Sequence, residues 1–307
     1  MPTTNLTQAQ IDALKTALKA RWNAGLAAAP NHWQRIAKLI ASGTKSNTYE
    51  WLSQFPAYRE WVGARQHKRL KEIAYNVQNR LFETTVDVPR TDIEDDNIGQ
   101  YGALAESAGQ SAIDLKNDLV FQLLATGFNT ACYDGQFFFD TDHPVAPNED
   151  GSGTAQSVSN LQVKTGEGAV QGAPWALLCT KRAASPLYLQ ERLAPQFESV
   201  TSAQNDNVFN LDVYSFGGRW RGEAAFGFWQ CAFGSTADLT AANFNAAYAA
   251  MMKFTGDGNR KLGIVPDLLV CGPDLRAAAS ELLLAEKIAG TNNTNYKAVD
   301  LLVTPWM

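Results

Sequence analysis

Apolar positions recur at helical spacing almost from the start of the chain. Ile11, Leu14, Leu18, Trp22 and Leu26 fall on one face, and Thr7 with Gln10 has capping-box spacing, so a helix is predicted from about Thr7 until Ala27-Ala-Ala-Pro30 ends it. Leu6 with Ile11 adds a hydrophobic staple. A short helical run is predicted around His32 to Ile40. Phe82, Thr84, Val86 and Val88 then alternate with Glu83, Thr85 and Asp87, the pattern of a half-exposed strand. Paired with the preceding Glu72 to Leu81 it would form a long two-stranded hairpin, which needs another surface to lie on. Thr91 and Glu94 have the spacing of a second capping box. They open a helical region that runs, interrupted at Gly99, Gly102 and Gly109, to about Thr126, with Ile113, Leu115, Leu119, Val120, Leu123 and Leu124 on its buried side and Gly127 at its end.

The second half reads as strands followed by a strand-and-helix layer. Asn148 to Gly172 is a Gly-, Ser- and Thr-rich surface connection with weak strands. Strand-like runs follow at Trp175 to Cys179, Leu187 to Gln190, Val208 to Tyr214 and Ala225 to Phe233. Thr240 opens a helix through Phe254, Asp267 to Cys271 is a buried strand, Asp274 to Ile288 a second helix, and Val299 to Val303 a last strand. The sum is a mixed α+β pattern without internal repeats.

One segment fits neither period. Ser46 to Gly63 carries Tyr49, Trp51, Phe55, Tyr58 and Trp61, and Pro56 interrupts the helical face that Trp51, Phe55 and Tyr58 would share. Any one of these rings fits the cap of its own core; the cluster as a whole fits contact with another chain, because Trp and Tyr bury large area at little rotamer cost. Beyond it, Arg65, Lys68, Arg69 and Lys71 form the one basic cluster, whose simpler reading is a solvated face and whose sharper reading is ion pairing between subunits.

Composition narrows the class. Charged residues make up 19%, below the usual quarter, while there are 8 Trp and 15 Phe, a balance that favours association. A net charge of −5 argues against a dedicated nucleic-acid binder. The 4 cysteines, Cys132, Cys179, Cys231 and Cys271, lie far apart, with no Cys-x-x-Cys pair, and are expected to stay free in a reducing cytosol. The start shows no secretory pattern, and no run is apolar enough for a membrane span.

The most enzyme-like constellation is Asp140-Thr-Asp142-His143, with Asp134 and Cys132 nearby. Imidazole and carboxylates at this spacing are metal-ligand types, and Cys132 with His143 can be drawn as nucleophile and base. With only 3 histidines and no His-Glu-x-x-His spacing, a turn is the better reading, since Asp side chains bond nearby amides and Pro144 fixes the exit. No catalytic, cofactor or metal residue is therefore expected. Acids Asp92, Glu94, Asp95 and Asp96 suit the positive end of a helix dipole better than a cation site.

Four blocks, in order across nearly the whole chain, resemble the Mu-like phage major head subunit (gpT) family, major capsid proteins with the HK97 fold. They are Ser46-Asn-Thr-Tyr-Glu-Trp-Leu with Phe55-Pro56 and Glu60-Trp61-Val62-Gly63; Phe82-Glu-Thr with Asp92 to Gly99 and Tyr101; Cys132-Tyr-Asp-Gly-Gln136, Phe138-Phe139-Asp140, His143-Pro144-Val145 and Pro147-Asn148; and Gly227-Phe228-Trp229-Gln230 with Gly256-Asp257-Gly258 and Lys261-Leu262-Gly263. The resemblance implies an α+β HK97-like fold: an N-terminal arm over 1–64, an extended E-loop hairpin over 65–91, a peripheral domain with the spine helix over 92–171, and an axial domain over 172–307 with strands returning to the peripheral domain.

It implies in turn a non-enzymatic subunit, without cofactors, that self-assembles through hexamers and pentamers into the icosahedral shell of a tailed phage and encloses double-stranded DNA without reading its sequence. Expected interface residues are Trp22, Trp51, Phe55, Tyr58, Trp61, Arg65, Lys68, Arg69, Lys71, Phe82 and Val86. Scaffold, portal and decoration proteins are further expected partners, and assembly is expected in the host cytoplasm, with no membrane involved. The alternatives are a nanocompartment shell of the same fold and, from another class, a cytosolic hydrolase built on Cys132 and His143.

Overall fold

The computed structural model describes residues 7–49, 52, 75–94, 99–166, 170–202 and 204–307. In chain order these form α1 (Gln8–Ala28), β1 (Ala37–Ala41), β2 (Ser46–Thr48), β3 (Asn76–Gln78), β4 (Arg80–Pro89), α2 (Arg90–Glu94) and α3 (Gly99–Thr126). Short strands β5 (His143–Val145), β6 (Gln156–Val158) and β7 (Leu161–Gln162) precede β8 (Trp175–Leu178). Two long strands follow, β9 (Leu187–Val200) and β10 (Val213–Phe226), separated by α4 (Asp206–Leu211). The remainder comprises β11 (Ala232–Ser235), α5 (Ala241–Met252), β12 (Thr255–Gly256), β13 (Arg260–Lys261), β14 (Leu268–Cys271), α6 (Arg276–Leu284), β15 (Lys287–Ile288), β16 (Thr291–Asn292) and β17 (Asp300–Val303).

Two sheets organise these elements. The first, in the order β1-β9-β10-β4, is antiparallel except for the parallel pairing of β1 with β9, and carries α1 and α3 on one side. The second, in the order β17-β14-β8-β11-β7, has an antiparallel centre and parallel outer pairs. β8 and β14 are buried along their whole length, which is why they read as continuous apolar runs.

α1 forms as its sequence dictates. The Thr7 hydroxyl accepts from the Gln10 amide at 3.3 Å and the Gln10 side-chain oxygen accepts from the Thr7 amide at 2.9 Å, closing the capping box. Ile11, Leu14 and Leu18 are buried with Val88, Tyr101, Val208, Tyr214 and Phe216, so this stripe docks on its own chain. α3 is unbroken over 28 residues, about 42 Å. Gly102 and Gly109 do not interrupt it, and Gly109 serves instead for a close approach to α1.

Several expectations need correcting. The run after His32 is a single 3-10 turn, His32–Arg35, and then a strand rather than continued helix, because Leu39 and its neighbours pair with β9. Thr91 lies inside α2, which begins at Arg90, so Thr91 is not a cap. The alternating strand exists as β4, but its partner is β10, with Phe82 opposite Trp220 and Val86 opposite Phe216, and not the segment before it. Among the described residues of that segment, Asn76–Gln78 pairs with Ser46–Thr48. Val208 to Tyr214 is helix before it is strand, and the helix expected to reach Ile288 stops at Leu284.

Polar side chains inside the core tie helix to sheet. Lys116 of α3 and Glu191 of β9 form a buried pair with Nζ to Oε1 at 2.6 Å; the ammonium sits between the rings of Trp33 and Trp220, and Trp220 Nε1 donates to the same Glu191 oxygen at 2.7 Å. The adjacent Asn117, fully buried, accepts from the Trp33 amide and donates to the Pro30 carbonyl, both at 2.9 Å, which fixes the turn between α1 and β1.

Candidate functional site

The segment after α3 folds back so that Cys132, Asp134 and His143 meet, their ligating atoms within 4.8 Å of one another. His143 is fully buried on β5, its ring flat against the Trp229 indole with centroids 4.1 Å apart. Its Nδ1 lies 2.7 Å from Asp134 Oδ2 and its Nε2 3.1 Å from Asn160 Oδ1. The other Asp134 oxygen accepts from the Gln136 amide and the Cys132 thiol, each at 3.1 Å. Asp140 and Asp142, closer to His143 in sequence, belong instead to the turn: Asp140 accepts from the amides of Phe137 and Thr141.

This geometry suits binding better than covalent chemistry. Burial, reinforced by the Asp134 carboxylate, pushes the Cys132 thiol far above its ordinary range, so a thiolate nucleophile is disfavoured. Both His143 nitrogens already face oxygens, leaving neither to act as a base toward Cys132. Among the described residues, the side chains grouped so that they could hold a metal are Cys132, Asp134 and His143. A separate groove of about 440 Å³ lies between Lys181, Tyr248 and Lys297, with Arg182 donating to the Leu262 and Gly263 carbonyls at its edge. No described helix is long and apolar enough to cross a membrane.

The expected contact residues fall into two groups. Trp51, Phe55, Tyr58, Trp61, Arg65, Lys68, Arg69 and Lys71 lie outside the described residues. The structure does define where that segment leaves and returns: β2 and β3 pair antiparallel, Ser46 opposite Gln78 and Thr48 opposite Asn76, so residues 49–75 depart from and come back to one stem. Tyr49, just beyond the stem, is buried, and Gln190 of β9 donates to Asn79 and to the Val77 carbonyl at its foot.

The second group is Trp22, Phe82 and Val86. Trp22 is only 3% exposed, its ring 6.0 Å from that of Phe197, so its surface is taken up inside its own chain. Its indole N–H has no hydrogen-bond partner among the described residues and borders a small apolar recess with Phe82, Leu115, Pro195 and Trp220. Phe82 is half-buried against Trp220, and Val86 packs beside the α1 stripe. Asn160, Lys116 and Glu191 were not singled out by sequence reasoning. An Asn in a polar connection and a Lys on a helix carry no signature until the fold surrounds them.

Comparison with known proteins agrees with the architecture. The family model "Mu-like prophage major head subunit gpT" matches residues 11–307. The chain is 40% identical over 289 residues to the major capsid protein of Escherichia phage Mu, covering 94% of each, and 41% identical over 282 residues to the Mu-like prophage FluMu major head subunit of Haemophilus influenzae, covering 92% and 91%. Its structure matches a chain of the bacteriophage JBD30 procapsid with a TM-score of 0.88 and 46% identity, covering 98% of this chain and all of that one. A chain of the JBD30 capsid matches with a TM-score of 0.77 and 34% identity over 98% and 99%. The α+β, HK97-like fold of phage major capsid proteins expected from the sequence is therefore the fold found, and neither a nanocompartment nor a hydrolase is favoured. With its two sheets, its long α3 and its agreement from residue 11 to residue 307, the chain belongs to the Mu-like prophage major head subunit gpT family.

Proposed function

We propose that this chain is the major capsid protein of a Mu-like phage, copies of which associate through hexamers and pentamers into an icosahedral shell around double-stranded DNA. The observation that carries this reading is the agreement over 98% of the chain with a procapsid subunit at a TM-score of 0.88. Multivalent closure gives the mechanism: several modest contacts per subunit make a shell that does not readily dissociate.

The contacts proposed are those of the segment rooted on β2 and β3. Trp51, Phe55, Tyr58 and Trp61 are its aromatic anchors, and Arg65, Lys68, Arg69 and Lys71 its ion-pairing groups. Phe82 and Val86, on β4, are proposed as further contacts. The paired backbone of β2 and β3 fixes both ends of that segment. In domain terms, the first sheet with α1 and α3 corresponds to the peripheral domain, to which β9 and β10 return, and the second sheet with α5 and α6 to the axial domain.

The JBD30 capsid is described as decorated with minor capsid protein trimers, and a decoration protein is proposed for this shell by that likeness. A scaffold, a portal and assembly in the host cytoplasm complete the proposal. The test is expression of the untagged chain, alone and with its scaffold, followed by sizing and negative-stain electron microscopy. Closed shells or rings are expected, and Trp51→Ala or Trp61→Ala should leave folded subunits that assemble poorly. A persistent monomer under both conditions would overturn self-assembly, and normal particles from both variants would remove the anchors.

A further inference from the structure

In the Cys132, Asp134 and His143 cluster one carboxylate is approached from both sides, by an imidazole nitrogen and by a thiol. The key is Asn160, which is fully buried and cannot be turned around. Its side-chain nitrogen faces three carbonyl oxygens, of Phe138 at 2.8 Å, Ala232 at 3.3 Å and Trp229 at 3.4 Å. Its side-chain oxygen accepts from the Asp140 amide at 2.9 Å. That oxygen can only accept, so His143 Nε2, 3.1 Å away, carries a hydrogen and donates. In the singly protonated ring this tautomer directs the Nδ1 lone pair at Asp134 Oδ2, 2.7 Å away. A lone pair and a carboxylate this close must share a proton or, opening slightly, a metal ion.

We propose that Cys132, Asp134 and His143 bind a zinc ion, with Asn160 fixing the tautomer that presents Nδ1 to the metal. What favours a metal over that proton is the third side of the site: Cys132 Sγ stands 3.1 Å from the other oxygen of the same carboxylate, where in the metal-free chain it only donates its weak S–H bond. Thiolate, imidazole and carboxylate together are zinc's own ligand types. The Nε2–H to Asn160 bond is the outer contact that metal-bound histidines make, here reinforced by the four backbone contacts of Asn160. Burial that disables Cys132 as a nucleophile does not disable it as a ligand, because a bound dication displaces the thiol proton to solvent. The fourth position falls to a water or to the second oxygen of Asp134. The ion would staple the segment after α3 to the strand and loop that carry His143 and Asn160.

The experiment needs neither assembly nor a variant that folds. Untagged protein is stripped with chelator under reducing conditions, loaded with zinc chloride, desalted and measured by inductively coupled plasma mass spectrometry. Roughly one zinc per chain is expected. Cobalt loading should give a thiolate-to-cobalt charge-transfer band. Both signals should be lost in Cys132→Ser and kept in Cys271→Ser. A loaded wild-type chain with negligible zinc would overturn the proposal and leave a proton between His143 and Asp134. Undiminished zinc in a folded Cys132→Ser chain would equally overturn it.

Discussion

Gly25 of α1 and Gly109 of α3 are reciprocal contacts: a Cβ on Gly25 would stand 1.9 Å from the Glu106 carbonyl oxygen, and one on Gly109 would stand 2.0 Å from that of Trp22. Each helix therefore touches the other backbone to backbone, and neither can retreat without lifting the apolar stripe of α1. Gly25→Ala and Gly109→Ala should each destabilise the subunit by about 1–3 kcal/mol or more. Gly102→Ala, whose nearest neighbours are Arg21 side-chain atoms at 3.8 Å and 3.9 Å, should be neutral or stabilise by up to about 1 kcal/mol through helix propensity. Urea unfolding of unassembled subunits measures all three, and equal effects would refute the close crossing.

The Lys116 and Glu191 pair makes a different demand. Removing the ammonium alone, as in Lys116→Met, leaves the Glu191 carboxylate in the core with only the Trp220 N–H, at a cost of about 3–5 kcal/mol. The double change Lys116→Met with Glu191→Gln should recover part of that loss, since Gln can still accept from Trp220. A double variant no more stable than the single one would show that packing between Trp33 and Trp220, and not charge, holds the position.

Alkaline pH should weaken the fold. Burial pushes the phenols of Tyr75 and Tyr188 up to about 12 from 10.0, and the Cys271 thiol up to about 11 from 9.0. The unfolded chain ionises these groups first, so their contribution is complete at neutral pH and is lost as pH rises from about 9 toward about 12. The urea midpoint should fall between about pH 8 and about pH 11, and less steeply in Tyr75→Phe. A midpoint that rises across this interval would contradict the burial of these groups.

Thiol reactivity should follow burial. All four cysteines are free and buried, and Cys132 and Cys231 are pushed furthest from the thiolate form. Ellman's reagent should label the native subunit slowly and the urea-unfolded chain completely. Rapid selective labelling of Cys132 would reopen a nucleophilic role for it.

What the sequence disclosed was local. Thr7 with Gln10 is a capping box closed within four residues and Thr240 opens a helix, and both appear as read. β14 was legible because it is buried on both faces and so runs apolar throughout. β10 was not, because Gly217, Gly218 and Gly222 erase its alternation, and the absence of a side chain at Gly217 lets the Thr84 carbonyl approach. The alternation of β4 was visible but its partner was not, since nothing local distinguishes a neighbouring strand from one that begins at Val213. At the cluster, Cys132, Asp134 and His143 were visible as residue types. Their convergence, and the part of Asn160 in fixing a tautomer, depend on contacts between segments far apart in the chain, among them the carbonyls of Phe138, Trp229 and Ala232.

The parallel pairing of β1 with β9 also sets an order in time. Ala37 lies opposite Leu187, and Arg80 of β4 opposite Gly222 of β10, so both outer strands of the first sheet wait for partners that leave the ribosome much later. At roughly 5–20 residues per second the delay is on the order of ten seconds. During it α1 and α3 can already cross at Gly25 and Gly109, while their sheet does not yet exist. The nascent chain is thus a helical hairpin first and becomes a β-protein only late in its own synthesis, with its apolar stripes open to chaperones, or to other nascent copies, in between.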